Sequence, residues 1–299
     1  MNFDACRRIT RENAKSFYFA SFPLPREKRD ATYATYAFCR TADDVVDDAQ
    51  PGSEDEARLE LGTLRLLLRE IESGAVPEHP LWGPFAWAVH RFRMPVATFD
   101  SLLDGIESDL TPRRFATFVE LRAYCFQVAS TVGLSLSHIF GFREDDALSY
   151  AANMGIAMQL TNIVRDIGTD YRLGRVYIPQ DELLSFGVDE GQIAAGRVDD
   201  RFRELLRYQI ARSREYYRRA FQGIRYLTRD GSHWTAFLMG DVYRAILDQV
   251  EHNDFDVFRR RASLTLAHKV ARSALAPINF RRDVLADTAP VISLPEENA

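Results

Sequence analysis

Cysteine, histidine and lysine are scarce in this 299-residue chain. Cys6, Cys39 and Cys125 stand far apart, and neither they nor the six histidines show the spacing of a zinc site. That excludes a zinc finger or a disulfide scaffold and makes a reducing compartment the simplest expectation. Long apolar runs are missing too: none approaches the roughly 18 residues that a membrane-spanning helix needs. The N-terminal stretch MNFDACRRITRENAKSF lacks the apolar core of a signal peptide. No G-x-G-x-x-G or P-loop pattern is present, which removes the common nucleotide-binding frameworks. There is no excess of positive charge either, and a formal net charge of -5 gives no reason to expect nucleic acid as a partner. These absences predict a cytoplasmic protein, soluble or at most peripheral to the inner face of a membrane.

Proline punctuates the chain unevenly. After Pro112 it occurs only at Pro179 before Pro277, and the two long intervals are rich in helix formers with 3.6-residue periodicity. Val- and Thr-rich alternating segments are nearly absent, so the expected fold class is all-α. At 46% hydrophobic residues the chain can bury a sizeable core. Loops around QPGSEDE (Gln50–Glu56) and GAVPEHPLWGP (Gly74–Pro84) separate helices rather than domains. The expectation is one domain over residues 1–299, with its core at about 10–285 and a loose tail from about residue 288.

One helical segment is apolar nearly all round yet carries Gln159, Asn162, Asp166 and Asp170, which fall within about 80° of one another on a helical wheel. A helix of that kind is buried, and a buried carboxylate needs a cation or a metal ion beside it. Asp166 and Asp170 are i and i+4, so they lie roughly 6 Å apart on one face. A second stripe lies upstream: Tyr36, Arg40, Asp43 and Asp47 share a face within about 60°, with Asp44 and Asp48 at its edge. Either pair alone is more often a solvated face or a dipole-favoured first turn. Two such pairs, each in apolar sequence and each joined by an arginine, suit a diphosphate held between Mg²⁺ ions, because magnesium prefers oxygen ligands and commonly bridges carboxylates to phosphates.

At these residues the chain resembles the squalene/phytoene synthase family. DDVVD (Asp43–Asp47), NIVRDIGTD (Asn162–Asp170) and GRVYIP (Gly174–Pro179) carry the resemblance. NAKSFYFA (Asn13–Ala20), LLDGIESDL (Leu102–Leu110), YCFQVASTVG (Tyr124–Gly133) and YRAILDQVEHNDFDVFRRR (Tyr243–Arg261) extend it over nearly the whole chain. The resemblance implies an all-α isoprenoid-synthase fold around a central cavity. It implies that Asp43, Asp47, Asp166 and Asp170 are Mg²⁺ ligands, with Mn²⁺ as a substitute, and that Asn162 and Gln159 order the metal shell or touch diphosphate. Arg40, Arg165, Arg175 and Tyr177 would neutralise and cover the departing diphosphate, and Ser16, Tyr36 and Tyr243 would line the headgroup region. One arginine of Arg259–Arg261, with Arg260 favoured, would reach a phosphate.

The implied reaction joins two prenyl diphosphates head to head through a cyclopropylcarbinyl diphosphate. Phe17, Tyr36, Tyr124 and Phe126 are candidates for cation–π stabilisation of the carbocations, against a plain role as core aromatics. Tyr124, Val128 and Val132, with Ala129 and Gly133 beside them, form a slim face that either borders a tunnel for prenyl tails or packs closely against another helix. Small residues at Ala20 and Ser21 favour the longer C20 substrate, so geranylgeranyl diphosphate going to phytoene is the leading expectation. Farnesyl diphosphate going to squalene, dehydrosqualene or presqualene diphosphate stays open, with NADPH needed only for squalene. A terpene cyclase or head-to-tail prenyltransferase and a non-catalytic helical scaffold are the rivals from other classes; the filled aspartate stripes speak against the scaffold. Ser263–Asp283 mixes apolar residues with Lys269, Arg272, Arg281 and Arg282, which fits either a membrane surface or core packing. A monomer or weak homodimer is the expected state.

Overall fold

The computed structural model describes residues 1–50 and 52–285; the tail expected from about residue 288 lies outside the described residues. Fourteen α-helices are formed among them: α1 (Asp4–Asn13), α2 (Lys15–Ala20), α3 (Arg26–Asp47), α4 (Glu54–Glu72), α5 (Trp82–Phe92), α6 (Val96–Glu107), α7 (Phe118–Cys125), α8 (Thr131–Phe140), α9 (Asp146–Arg172), α10 (Gln180–Ser185), α11 (Glu190–Ala194), α12 (Asp200–Gln222), α13 (Ser232–His252) and α14 (Leu266–Phe280). The described residues contain no β-strand, only the isolated bridges Arg114–Val176 and Phe142–Leu227. The fold is all-α, as the helical periodicity led us to expect.

The apolar helix singled out in the sequence is α9, and it lies at the centre, packed against α7, α8, α12 and α13. Ile156, Ala157, Leu160, Ile163, Val164 and Ile167 bury one side of it. The α9–α12 seam is tied by polar contacts as well as apolar ones: Thr161 Oγ1 lies 3.1 Å from the Tyr217 hydroxyl, and Ser213 donates to the Ala157 carbonyl at 3.0 Å. Such bonds in a dry seam hold register, since any slip leaves a buried polar group unpaired.

On the opposite side, α7 runs into α8 through a single π-helical turn, Phe126–Ser130. Turns of this kind widen a helix locally and often mark functional sites. Here the turn comes so close to α9 that a Cβ on Gly155 would lie 2.5 Å from the Ser130 backbone. Only glycine permits this approach. A Gly155→Ala variant should therefore force α9 and the π turn apart, with a loss of about 1–3 kcal/mol expected for overpacking of this kind. Urea denaturation followed by circular dichroism measures it; a stability within about 0.5 kcal/mol of the parent would contradict the close approach.

Candidate active site

The C-terminal halves of α3 and α9 carry the two stripes, and both point into one polar chamber. Its walls include Asp43 and Asp47 from α3, Asp109 from the one-turn helix Ser108–Leu110, and Gln159, Asn162, Asp166 and Asp170 from α9. Arg40, Arg165 and Arg175 complete the charged lining, with Tyr124 and Tyr177 beside them. The chamber has a volume of about 320 Å³. An apolar channel of about 290 Å³ adjoins it, and Asp43, Val128, Gln159 and Asn162 line both. Phe17, Tyr36, Val132, Ala129, Gly133 and Tyr243 are among the residues that line the channel.

Local structure explains how Arg175 and Tyr177 reach the chamber. Gly174 takes φ +76°, a left-handed conformation that suits glycine, and ends α9. The Arg175 amide then donates back to the Asp170 carbonyl at 2.8 Å, which turns GRVYIP towards the mouth. Arg175 pairs with Asp47 at 3.2 Å, bridging the end of α9 to the end of α3. Tyr177 and Tyr124 stack with ring centroids 5.3 Å apart. Their hydroxyls donate to the two oxygens of Asp109, at 3.1 and 2.6 Å respectively.

The acids differ in state. Burial pushes Asp43 up to about 7, and the neighbouring Asp47 charge adds to it. Burial does the same to Asp170, also to about 7, helped by Asp166. Asp109 is raised as well, chiefly by burial. Asp166 goes the other way: burial acts upwards on it, but hydrogen bonds from Arg165 and Arg261 outweigh that and hold it below the usual carboxylate range. Arg261 donates through Nε to Asp166 Oδ1 at 2.8 Å and through Nη2 to Oδ2 at 3.1 Å. Tyr243 donates to Asn162 Oδ1 at 2.6 Å, and the Asn162 amide donates to Gln159 at 3.1 Å.

The donor set suits a hard divalent cation. Every acidic or amide donor in the chamber is an oxygen or an amide group, and no thiol or imidazole lines it. Among the described residues no three His, Cys, Asp or Glu side chains cluster tightly enough to cage an ion unaided. Arg40 pairs with Asp44, while its Nε is buried without a partner, a donor left over for an anion.

Several expectations need correction. Arg261, not Arg260, turns towards α9. The Asp256 carboxylate accepts from the Phe258 and Arg259 amides at 3.3 and 3.1 Å, and this turn sets the register of the run. Arg259 then lies by Asp256 and Arg260 is exposed. Ser16 is half-buried and lines neither cavity, and Phe126, at the start of the π turn, is exposed. Ala20 and Ser21 are fully buried away from both cavities, with Ser21 Oγ 2.9 Å from the Tyr33 hydroxyl, so they do not limit the channel. Asp48 is exposed at the end of α3. Asp109 carried no assigned role in the sequence; it lies within LLDGIESDL, but a lone Asp without an i+4 partner shows no stripe.

Two aspartate stripes lining one chamber at the mouth of an apolar channel, in an all-α bundle, define an isoprenoid synthase. The profile of the squalene/phytoene synthase family matches residues 10–268. A phytoene synthase of Arthrospira platensis is 37% identical, with 94% of each chain covered. A 15-cis-phytoene synthase of Synechococcus elongatus is 35% identical, with 92% of each covered. A solved dehydrosqualene synthase superimposes with a TM-score of 0.87 at 30% identity, covering 94% of this chain and 96% of that one. A squalene synthase from Alicyclobacillus acidocaldarius gives 0.76 at 26% identity, covering 85% and 94%. The chain belongs to the squalene/phytoene synthase family. It is a prenyltransferase that couples prenyl diphosphates head to head.

The raised acids carry a sign. A carboxyl whose folded pKa exceeds its unfolded value stabilises the fold at low pH, and that contribution is lost as pH rises from about 4 through about 7. In chelator-treated protein, Asp43→Asn should remove part of this loss. Relative to the parent it should gain stability between pH 5 and pH 8, on the order of 1 kcal/mol, since the open chamber weakens the effect. Urea melts at the two pH values decide it; equal pH dependence in both proteins rules out the raised Asp43.

Proposed function

We propose that the protein condenses two geranylgeranyl diphosphates to phytoene, using Mg²⁺ and no reductant. The convergence of Asp43, Asp47, Asp166 and Asp170 with three arginines at the mouth of an apolar channel carries this reading. The curated relatives named phytoene synthases support the C20 substrate, and their match over nearly the full length supports one catalytic domain.

The four aspartates, with Asn162, would hold Mg²⁺, which when bound would supply Lewis-acid stabilisation to the departing diphosphate. Arg40, Arg165, Arg175 and Arg261 take up the negative charge that grows as the allylic C–O bond breaks and its electron pair leaves with the diphosphate. Arg165 and Arg261 hold Asp166 in the free protein and exchange that carboxylate for phosphate when substrate arrives. Tyr243 fixes the Asn162 amide, and Tyr124 and Tyr177 hold Asp109. The second molecule's 2,3-double bond attacks the allylic cation, and loss of a proton closes the cyclopropane. Departure of the second diphosphate, rearrangement and a further proton loss join the two C1 carbons. Val128, Val132 and Met158 exclude water from these cations, and the Phe17 and Tyr36 rings, 5.4 Å apart, line the same channel within reach for cation–π stabilisation.

Purified protein with Mg²⁺ and either geranylgeranyl or farnesyl diphosphate, with and without NADPH, should yield a C40 hydrocarbon from the former irrespective of NADPH. A C30 product alone would move the substrate to farnesyl diphosphate. Cyclised C15 or C20 products would place the enzyme with the terpene cyclases, and no turnover of either would leave a scaffold.

The product is insoluble in water, and α14 offers a surface for its delivery. No helix among the described residues is long and apolar enough to cross a membrane. Yet α14 buries only Ala276, and it leaves Leu266 and Ile278 69% and 66% exposed, with Val270, Leu275 and Leu285 also outward. No acidic residue occurs between Asp256 and Asp283, while Arg259, Arg260, Lys269 and Arg281 are among the cations there. Exposed apolar residues interspersed with cations fit an anionic lipid surface. Flotation with phosphatidylglycerol vesicles should recover the protein at low salt, and Leu266→Glu with Ile278→Glu should abolish recovery; equal flotation of parent and double variant sinks the assignment.

A further inference from the structure

The channel has to accommodate a tail of definite length, yet Ala20 and Ser21 do not touch it. Helix α9 provides a ruler instead. Gln159 stands where chamber and channel meet, and Met158, Gly155, Met154, Ala151, Tyr150 and Ala147 follow it along one channel-facing stripe. At 1.5 Å per residue, Ala151 lies about 12 Å and Ala147 about 18 Å from Gln159. An isoprene unit adds four bonds, roughly 5 Å when extended at ordinary bond lengths. A C15 tail thus ends between Ala151 and Ala147, and a C20 tail reaches Ala147.

The channel residues near this level come from α9, from the turn after α12 and from the C-terminal end of α8, where Ser137 and Phe140 also line the channel. A Cβ on Gly223 would lie 2.1 Å from Tyr150 Cβ, so any other residue there would drive the tyrosine out of place. Tyr226 also stacks on Tyr150, with centroids 5.8 Å apart and planes 24° from parallel. Tyr150 is therefore clamped, while Ala147, one turn earlier, has only a methyl group to fill the space. Close packing gives such a wall leverage: a cavity that ends on fixed atoms rejects added length.

We infer that Ala147, Tyr150 and Gly223 form the end wall that sets the tail length this enzyme accepts, with Ala147 leaving room for the last isoprene unit of a C20 tail. This rests on the prenyl-diphosphate reading of the site. The wall selects by sterics alone, so it is tested by binding rather than turnover. Thiolo-diphosphate analogues with C15, C20 and C25 tails, titrated calorimetrically with Mg²⁺ present, report it directly.

Ala147→Phe should bind the C20 analogue at least about tenfold more weakly than the parent while holding the C15 analogue within about threefold, the scale on which a packed pocket discriminates added carbons. Tyr150→Ala should open the wall and bind the C25 analogue at least about tenfold more tightly than the parent does. An unchanged C20-to-C15 ratio in Ala147→Phe overturns the assignment, as does equal loss of both analogues. Should Ala147→Phe fail to fold, Tyr150→Ala decides alone, and an unchanged C25 affinity overturns it. These outcomes stand apart from the product assay: a terpene cyclase would still show the length step, and a missing step would leave head-to-head coupling untouched.

Discussion

Asp43, Asp47, Asp109, Asp166 and Asp170 share one half-enclosed chamber, and the rest of the site follows from their mutual repulsion. Like charges gathered away from water cannot all stay ionised without compensation. In the free protein three devices supply it. Arg165 and Arg261 pair with Asp166, and Arg175 with Asp47. The Tyr124 and Tyr177 hydroxyls bond Asp109. Asp43 and Asp170, which have no close ion pair of their own, are pushed towards protonation. These carboxylates and arginines are the groups proposed to meet cations and phosphate.

The proposed chemistry requires that the reacting carbons be kept dry, and the apolar lining of the channel suits this. The π turn between α7 and α8 brings Val128 to the junction of chamber and channel, and the absent side chain of Gly155 lets the turn sit directly on α9. The polar and apolar halves of the site therefore share one wall. A bound chain would have its diphosphate among arginines and its tail along the small and apolar residues of a single helix.

Much of this was legible in the sequence because helical periodicity carries it. The stripes on α3 and α9 are local patterns, each readable from i and i+4 spacing in apolar surroundings. Tyr124, Val128 and Val132 read as one face, and all three line the site even though a π turn interrupts the helix. Asp109 was not readable, since a single acid on a one-turn helix has no periodicity to betray it. Arg261 was misplaced by one residue because the run after α13 is not helical, and a hydrogen-bonded turn at Asp256 sets its direction. Ala20 and Ser21 follow the KSF segment, and that position suggests the channel, but position in the chain does not fix which cavity a residue meets.

Sequence alone determined the helical class, the two aspartate stripes and the family, since these depend on contacts three or four residues apart and on motifs read in order. Tertiary structure decided which arginine holds Asp166, which tyrosines hold Asp109 and where the channel ends. Those depend on residues as far apart as Asp166 and Arg261, or Tyr150 and Gly223, which meet only once α9 is packed among its neighbours.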